Sequence, residues 1–230
     1  MRLDDPAVVR DEYASEAGLA GRKAAYRFAD GPDPREIAFS AVAEARPRRI
    51  LEVGCGEGEL AERMQRELGA EIVALDQSER MVELTRARGV DARLGDVQEL
   101  PFEDDEFDAA VAAWMLFHVR DIDGALAELA RVVGPGGRLV AVTNGEEHLR
   151  ELRELLGTGV SRYSFSGENG SELLERHFAR VERRDATGWI AFPGRAAAQA
   201  YVDASKWGQL PEFEGPLRVR RAPYVFVADK

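Results

Sequence analysis

The chain has 230 residues, of which 45% are hydrophobic and 32% charged, and this composition predicts one folded α/β domain and argues against disorder. The formal net charge of −11 repels phosphate backbones and anionic lipids, so we expect neither a nucleic-acid partner nor a membrane partner. Cys55 is the single cysteine, and the charged first residues do not resemble a signal peptide. We therefore expect a cytoplasmic protein without disulfides.

Helices are predicted at the beginning of the chain. Residues 6–27 show a loosely amphipathic helical pattern. The segment "DGPDP" at 30–34 interrupts it, because two prolines and a glycine cannot continue a helix. A further helix is predicted over residues 35–45 and ends before Pro47.

Strands and helices alternate from residue 49 onward. The predicted strands are "RILEV", "EIVALD", "DARLGD", "FDAAVAAWML" and "RLVAVTN", and the helices are "GELAERMQREL", "SERMVELTRARG" and "DIDGALAELARVV". This spacing requires crossover connections, so we expect a parallel sheet. The segment "GPGG" at 134–137 is predicted to be a turn before the fifth strand.

The last third of the chain is less regular. Helices are predicted over 146–156, 171–178 and 194–207, a strand with a turn over 179–192, and a final strand over 222–230. The ending suits a hairpin-like strand pair at the sheet edge. His148 and His177 lie in helical patterns typical of a surface, and we expect no metal site.

Three glycines stand at alternate positions where the first strand passes into a helix: Gly54, Gly56 and Gly58. Glycines there permit positive φ and a close approach of a ligand to the backbone. The dinucleotide pattern would need a glycine at position 59, where the chain has Glu59. Together with Glu57, this acidic charge favours a ligand that has no phosphate and carries some positive charge.

The ordered series of motifs over residues 49–142 resembles the class I S-adenosylmethionine (SAM)-dependent methyltransferases. "ILEVGCGEGELAERM" is similar to their first motif, and "VALDQSERMVELTRARG" to their second. The segment from "GDVQELPF" to "GPGGRLV" is similar to their third to fifth motifs. The resemblance is closest to the small-molecule branch that includes ubiquinone-biosynthesis-like enzymes.

The resemblance implies a fold and a division of the chain. The fold would be α/β and Rossmann-like, a doubly wound, mostly parallel seven-stranded sheet with an antiparallel C-terminal strand. Residues 1–46 would form a helical N-terminal lid, and residues 47–230 the methyltransferase domain. The cofactor would be SAM, with S-adenosylhomocysteine (SAH) as product. The partner would be a small apolar or aromatic methyl acceptor, and both a monomer and a homodimer stay open.

The resemblance also implies the cofactor contacts, which are Glu52, Gly54, Cys55, Gly56, Gly58, Asp76, Gln77, Met81, Asp96, Val97 and Ala113. Asp76 would accept the ribose hydroxyls, as acidic residues do at this place in dinucleotide folds. Asp96 would accept from the adenine amino group. The alternatives are a helix cap for Asp76 and a plain turn for Asp96.

Glu52 lies inside the first predicted strand, where a carboxylate is costly unless it is paired. In the family an acidic residue here acts on the amino group of the methionine part. The alternative is an ion pair with Arg22 or Arg49. We interpret Cys55 as a small filler of the turn and not as a nucleophile.

His118 follows the fourth strand and would be either a general base near the methyl group or a structural residue that bonds to the backbone. The expected acceptor contacts are Tyr13, Tyr26, Trp114, Met115, Phe117 and Phe165. Tyr163, Trp189 and Phe192 are further candidates, although aromatic residues also serve as core filler. Two rival functions stay open: a SAM-binding module without catalysis, and a nicotinamide-dependent oxidoreductase.

Overall fold

A computed structural model of the chain describes residues 21, 23–159 and 163–230. Within these residues the helices are Pro34–Ala45 (α1), Glu59–Leu68 (α2), Glu79–Ala87 (α3), Ile122–Val132 (α4), Arg150–Leu156 (α5), Gly170–Leu174 (α6) and Arg195–Ala204 (α7). The strands are Arg49–Val53 (β1), Glu71–Asp76 (β2), Asp91–Leu94 (β3), Phe107–Ala113 (β4), Val133–Asn144 (β5), Arg180–Asp185 (β6), Gly188–Phe192 (β7), Leu217–Arg221 (β8) and Pro223–Asp229 (β9). Short 3-10 turns cover Tyr26–Phe28 and Leu116–His118.

Seven strands form the main sheet in the order β3-β2-β1-β4-β5-β9-β6. Strands β1 to β5 pair in parallel, whereas β9 runs antiparallel to both of its neighbours, β5 and β6. The predicted mostly parallel, Rossmann-like sheet with an antiparallel C-terminal strand is confirmed. The order runs outward from β1 on one side and from β4 on the other. The winding therefore reverses between them, and a crevice opens at their carboxyl ends.

Both faces of the sheet are covered by helices. Leu51 and Val53 of β1 pack into the core layer that contains residues of α4, and Ile50 packs into the opposite layer with residues of α1 and α2. Each such side chain contributes roughly 1.5–3 kcal/mol when it is fully buried. The centre of β4, Ala109 to Ala112, is not exposed at all. A near-continuous apolar strand is expected where a sheet is covered on both sides.

Two expectations about strands were wrong. The "GPGG" segment does not precede β5 but lies within its span; the pairing with β4 passes from Val133 to Arg138, so these four residues form an irregularity in the strand, with Gly136 at a φ of +76°. The predicted strand with a turn over 179–192 is divided between two sheets, because β6 joins the main sheet and β7 pairs with β8 in a separate two-stranded sheet. The sequence analysis did not predict β8.

The separate sheet belongs to a small second core that we call the cap. The cap comprises residues 25–30, α5, β7, α7 and β8, and its core includes Phe192, Tyr201 and Val202. The N-terminal part joins it closely: Phe28 packs edge-on against Phe192 with ring centroids 6.3 Å apart, and Asp30 exchanges hydrogen bonds with Trp189. Residues 25–30 therefore pack as one unit with C-terminal elements. Among the described helices, none is long and apolar enough to cross a membrane.

Candidate active site

The glycine-rich turn after β1 lies at the carboxyl edge of the sheet. Gly54, Gly56 and Gly58 have φ values of +66°, +55° and +74°. A Cβ on Gly54 would lie 2.6 Å from the Met115 side chain, and a Cβ on Gly58 would lie 2.7 Å from that of Thr85. A Cβ on Gly56 would meet nothing within 4 Å. Gly54 and Gly58 thus allow close packing, while Gly56 faces open space that a ligand can approach.

Asp76 ends β2 and holds the turn in place. Its Oδ2 accepts from the N–H of Gly56 at 2.9 Å, and its Oδ1 accepts from the N–H of Ser78 at 2.9 Å. Burial raises the pKa of its carboxyl, although the N–H groups of Ser78, Gly56 and Gln77 oppose that shift. Ser78, not Asp76, caps α3, since the Ser78 hydroxyl accepts from the N–H of Met81. A carboxylate has about four acceptor sites, so Asp76 can still accept from a ribose hydroxyl.

Glu52 lies in β1 and is 3% exposed. Burial raises the pKa of its carboxyl to about 8; the nearby charge of Asp76 adds to the shift, and the N–H of Ala61 at the start of α2 opposes it. Its Oε2 is buried and has no hydrogen-bond partner. A buried carboxylate oxygen without a partner is costly, and an ammonium group would satisfy it.

The alternative ion pair between Glu52 and Arg49 is wrong. The Arg49 guanidinium lies 2.9 Å from the carboxylate of Glu106 and 3.4 Å from that of Glu71. Arg49 and Glu52 are three residues apart in β1, so their side chains point to opposite faces of the sheet. Arg49 therefore pairs with other carboxylates and not with Glu52. Arg22, the other arginine considered, lies outside the described residues.

Asp96 follows β3, next to β2 at the same edge. Its carboxylate accepts from the N–H of Gln98 at 2.9 Å and from the side-chain amide of Gln98 at 3.1 Å. The Gln98 amide oxygen in turn accepts from the N–H of Asp121, which caps α4. Val97, between them, is buried. Asp96 is therefore an acceptor held in a fixed position at the carboxyl edge of the sheet.

Lys23 offsets part of the acidic charge beside the turn. Its Nζ lies 2.6 Å from a carboxylate oxygen of Glu57 and 2.9 Å from one of Glu59. The Lys23 and Glu57 side chains are only 25% and 18% exposed. The N-terminal segment is thus tied to the glycine-rich turn by a partly buried ion-pair triad.

Cys55 is buried beside Thr85, whose hydroxyl lies 3.5 Å from its Sγ. Burial raises the pKa of the thiol to about 12, and the hydrogen bond with Thr85 only partly offsets this. The thiolate is the nucleophilic form of cysteine, so the thiol is unreactive at neutral pH. This agrees with the interpretation of Cys55 as filler.

The segment after β4 borders the crevice on its other side. Ala113 ends the strand, and Trp114 has a φ of +54° while its N–H donates to Val142 of β5 at 2.8 Å. Positive φ is rare for a bulky residue and marks strain that is common at functional sites. Met115 packs against Gly54. The ring of His118 lies 4.4 Å from that of Phe117.

Phe165 does not fit the predicted acceptor contact. Its ring is fully buried in the main core, 5.5 Å from that of Phe226 and next to Gly170 of α6. Phe192 likewise lies in the core of the cap. Tyr26 is half-buried in the 3-10 turn of the cap, and Tyr13 lies outside the described residues. Gln77 is exposed beside Asp76, and Met81 is 2% exposed.

The position predicted for His148 was wrong, because the side chain is 5% exposed and not on the surface. Burial lowers the pKa of its imidazole to about 3, and the charges of Arg153 and Arg221 add to this. Both arginines are buried as well. The sequence did contain a signal for the burial of Arg153. This residue is four residues after Leu149 and three before Leu156, so it shares a helical face with two leucines.

Comparisons with known proteins identify the family. Residues 51–141 match the family model described as a methyltransferase domain. A protein named demethylmenaquinone methyltransferase from Thermobifida fusca is 30% identical over 188 residues, which cover 76% of this chain and 75% of that protein. A malonyl-[acyl-carrier protein] O-methyltransferase from Chlorobium luteolum is 28% identical and covers 87% of this chain and 78% of its own length. Several other relatives match over about half of their length.

A solved structure shows the same fold. The crystal structure of a SAM-dependent methyltransferase from Thermotoga maritima, described as a possible histamine N-methyltransferase, has a TM-score of 0.58 and 24% identity. It covers 90% of this chain and 91% of that one. On its motifs, its sheet and its relatives, this chain belongs to the class I SAM-dependent methyltransferases and is an enzyme.

Proposed function

We propose that the enzyme transfers the methyl group of SAM to a small acceptor with an apolar or aromatic body, by in-line displacement. The observation that carries the proposal is the partnerless Oε2 of buried Glu52. Glu52 directly precedes the glycine-rich turn, whose central glycine, Gly56, faces open space. A cationic amino group beside a close-approaching backbone meets both needs, and SAM carries such a group.

The residues at the ends of β1, β2 and β3 would each bind a different part of the cofactor. Glu52 holds the amino group, together with the carbonyls of Gly54 and Ala113. Asp76 accepts from the ribose. Asp96 accepts from the adenine amino group, while the N–H of Val97 donates to the ring. The donor and acceptor types in the described site fit SAM, and no phosphate-binding group is required of them.

When bound, SAM supplies a methyl group on a positively charged sulfur. The protein's task is to align the acceptor with that methyl group and to exclude water, which together can lower a barrier by roughly 7–11 kcal/mol. Trp114 and Met115 form the wall nearest the glycine-rich turn. His118 is the candidate for removing a proton from the acceptor, and Phe117 packs against its ring. The cytosol is the expected location.

The acceptor is inferred from this chain's residues and not from its relatives. The two relatives described above are named for a quinone precursor and for a carrier-bound acid, so their names do not define one acceptor. The wall of Trp114, Met115 and Phe117, which Tyr26 would extend, favours an apolar or aromatic body. A small molecule is favoured over a nucleic acid because the chain is strongly acidic.

The test has two parts. Calorimetry with SAH should give a dissociation constant in the micromolar range or below, and NADH should not compete with it. SAM labelled in its methyl group should then transfer label to members of a panel of phenols, carboxylates and amines, and Trp114→Ala should reduce that transfer while SAH still binds. Tight SAH binding without transfer to any acceptor would favour a binding module, and NADH binding in place of SAH would overturn the assignment.

A further inference from the structure

Three cationic or basic side chains converge where the cap meets the main sheet. His148 lies four residues after the end of β5, between that strand and α5. Arg153 lies in α5, and Arg221 ends β8. They are 5%, 4% and 3% exposed. The charges of both arginines act on the His148 imidazole. The N–H of Ala222, which directly follows Arg221, donates to His148 Nδ1 at 3.1 Å. The three side chains thus form one buried cluster.

The cluster has donors and, within the part of the chain that the structure describes, no acidic partner. One nitrogen of Arg153 donates to the carbonyl of Glu146, and one of Arg221 donates to the carbonyls of Asp30 and Pro32 at 2.9 and 2.6 Å. The Nε atoms of both arginines are buried without a partner. Among the described residues no carboxylate lies within ion-pairing distance of either guanidinium.

The carboxylates of Asp30 and Glu147, whose residues lie beside the cluster in the sequence or bond to it through the backbone, are paired with other groups. The Asp30 side chain accepts from the N–H of Trp189 and lies 3.7 Å from Arg218. The Glu147 side chain pairs with Arg150. Two buried guanidinium groups that have no counter-charge among residues 21, 23–159 and 163–230 are costly. Because His148 Nδ1 accepts a hydrogen bond and the ring is neutral, its Nε2 carries the proton and is a third donor.

The position of the cluster relates it to the acceptor. Asn144 ends β5 at the same sheet edge as the glycine-rich turn, and β5 is two strands away from β1, which corresponds to about 10 Å. The carboxylate of SAM is one carbon from the amino group assigned to Glu52, so it stays near β1. An acceptor beside Trp114, whose N–H is bonded to β5, would lie on the side of the crevice toward the cluster.

We propose that His148, Arg153 and Arg221 recognise an anionic group, carboxylate or phosphate, on the methyl acceptor. The proposal rests on the proposed function and makes it narrower: the acceptor has an apolar body and one anionic end. Bidentate pairing with an oxyanion is the geometry that guanidinium groups favour. The cluster binds the acceptor and takes no part in breaking or forming bonds.

The test uses the full chain saturated with SAH and two matched probes, benzoate and its neutral isostere benzamide. Calorimetry should show that benzoate binds at least about tenfold more tightly than benzamide, the scale of hydrogen bonds to charged groups. Arg153→Gln and Arg221→Gln should each weaken benzoate binding by about tenfold and leave SAH binding unchanged. Arg150→Gln is the control, since Arg150 lies on the same helix but is exposed and paired. Phenyl phosphate in place of benzoate distinguishes a phosphate from a carboxylate.

A second measurement does not depend on the variants folding. The chain has three histidines, His118, His148 and His177. In the wild-type protein labelled at histidine, benzoate should shift the imidazole resonances of His148 and not those of His177. Equal binding of benzoate and benzamide, no binding of any anion, or benzoate binding that both arginine variants retain would overturn the proposal. If SAH binds throughout, such a result leaves the proposed methyl transfer standing; if SAH does not bind, the methyl-transfer proposal itself fails.

Discussion

Glu52→Gln should remove a pH-dependent loss of stability from the cofactor-free enzyme. The pKa of this carboxyl is raised from its ordinary value of 4.5 to about 8, first by burial and then by the charge of Asp76. Between these two values the folded protein keeps a proton that the unfolded chain releases. Stability therefore falls as the pH rises through this window, and the loss is complete above the folded pKa.

The size of the effect follows from the shift. Each pH unit inside the window costs about 1.4 kcal/mol, so wild type should lose about 3 kcal/mol between about pH 5 and about pH 7.5 because of this group. Glutamine has nearly the same shape and cannot ionise. The variant should therefore lack this part of the pH dependence, and at neutral pH it should unfold at a higher denaturant concentration than wild type.

Urea unfolding of both proteins without cofactor, followed across this pH range, measures the difference directly. Glu99→Gln serves as the control, because Glu99 is exposed and should leave the pH dependence unchanged. SAH affinity should show the reverse trend: in wild type it rises with pH toward 8 as Glu52 becomes a carboxylate, and in Glu52→Gln it is weaker and nearly flat. A stability difference between wild type and variant that does not change with pH would refute the reasoning.

The other predictions concern separate parts of the site. Asp76→Ala should weaken SAH binding by about 1–3 kcal/mol, the scale for a hydrogen bond to a charged group, and unchanged affinity in calorimetry would count against the ribose contact. Gly56→Val should fold, at a backbone cost of about 1–3 kcal/mol, but lose SAH binding because its side chain enters the open space; retained affinity would place the cofactor elsewhere. Phe165→Ala should lower the free energy of unfolding by about 3–5 kcal/mol with little change in SAH affinity, and an altered acceptor KM in a stable variant would restore Phe165 to the pocket. His118→Gln should remove the acid-side limb of the pH–rate profile, on which the rate falls as a catalytic base becomes protonated, if His118 takes a proton from the acceptor; an unchanged profile would leave it a structural residue.

The parallel half of the fold could be predicted from local sequence. The strand β4 is almost wholly apolar, and the motifs around Gly54 to Gly58 and Asp76 place their residues at strand ends by short-range rules. In a parallel sheet the carboxyl ends of the strands meet at one edge. The order of the strands was therefore enough to predict which residues lie together there. Ser78 as the cap of α3 followed from its side chain alone.

The C-terminal third depends on contacts between distant residues, and local patterns failed there. The strand β8 has the sequence "LRVRR", whose arginines do not indicate a strand, and it forms only by pairing with β7. The "GPGG" segment is held within β5 because Gly136 and Gly137 bond to Lys230 at the end of the chain, although Gly136 has a φ of +76°. His148 and Phe165 were misplaced for the same reason, since the elements that bury them come from far along the sequence.

The central claim is that the turn after β1 and the ends of β2 and β3 bind an adenosyl group. A crystal structure of the enzyme with SAH tests it most directly. The account predicts the ribose within hydrogen-bonding distance of Asp76, the adenine amino group at Asp96, and the amino group of the homocysteine part on the free oxygen of Glu52. Density for SAH at another place, or a Glu52 oxygen that still has no partner in the complex, would contradict it.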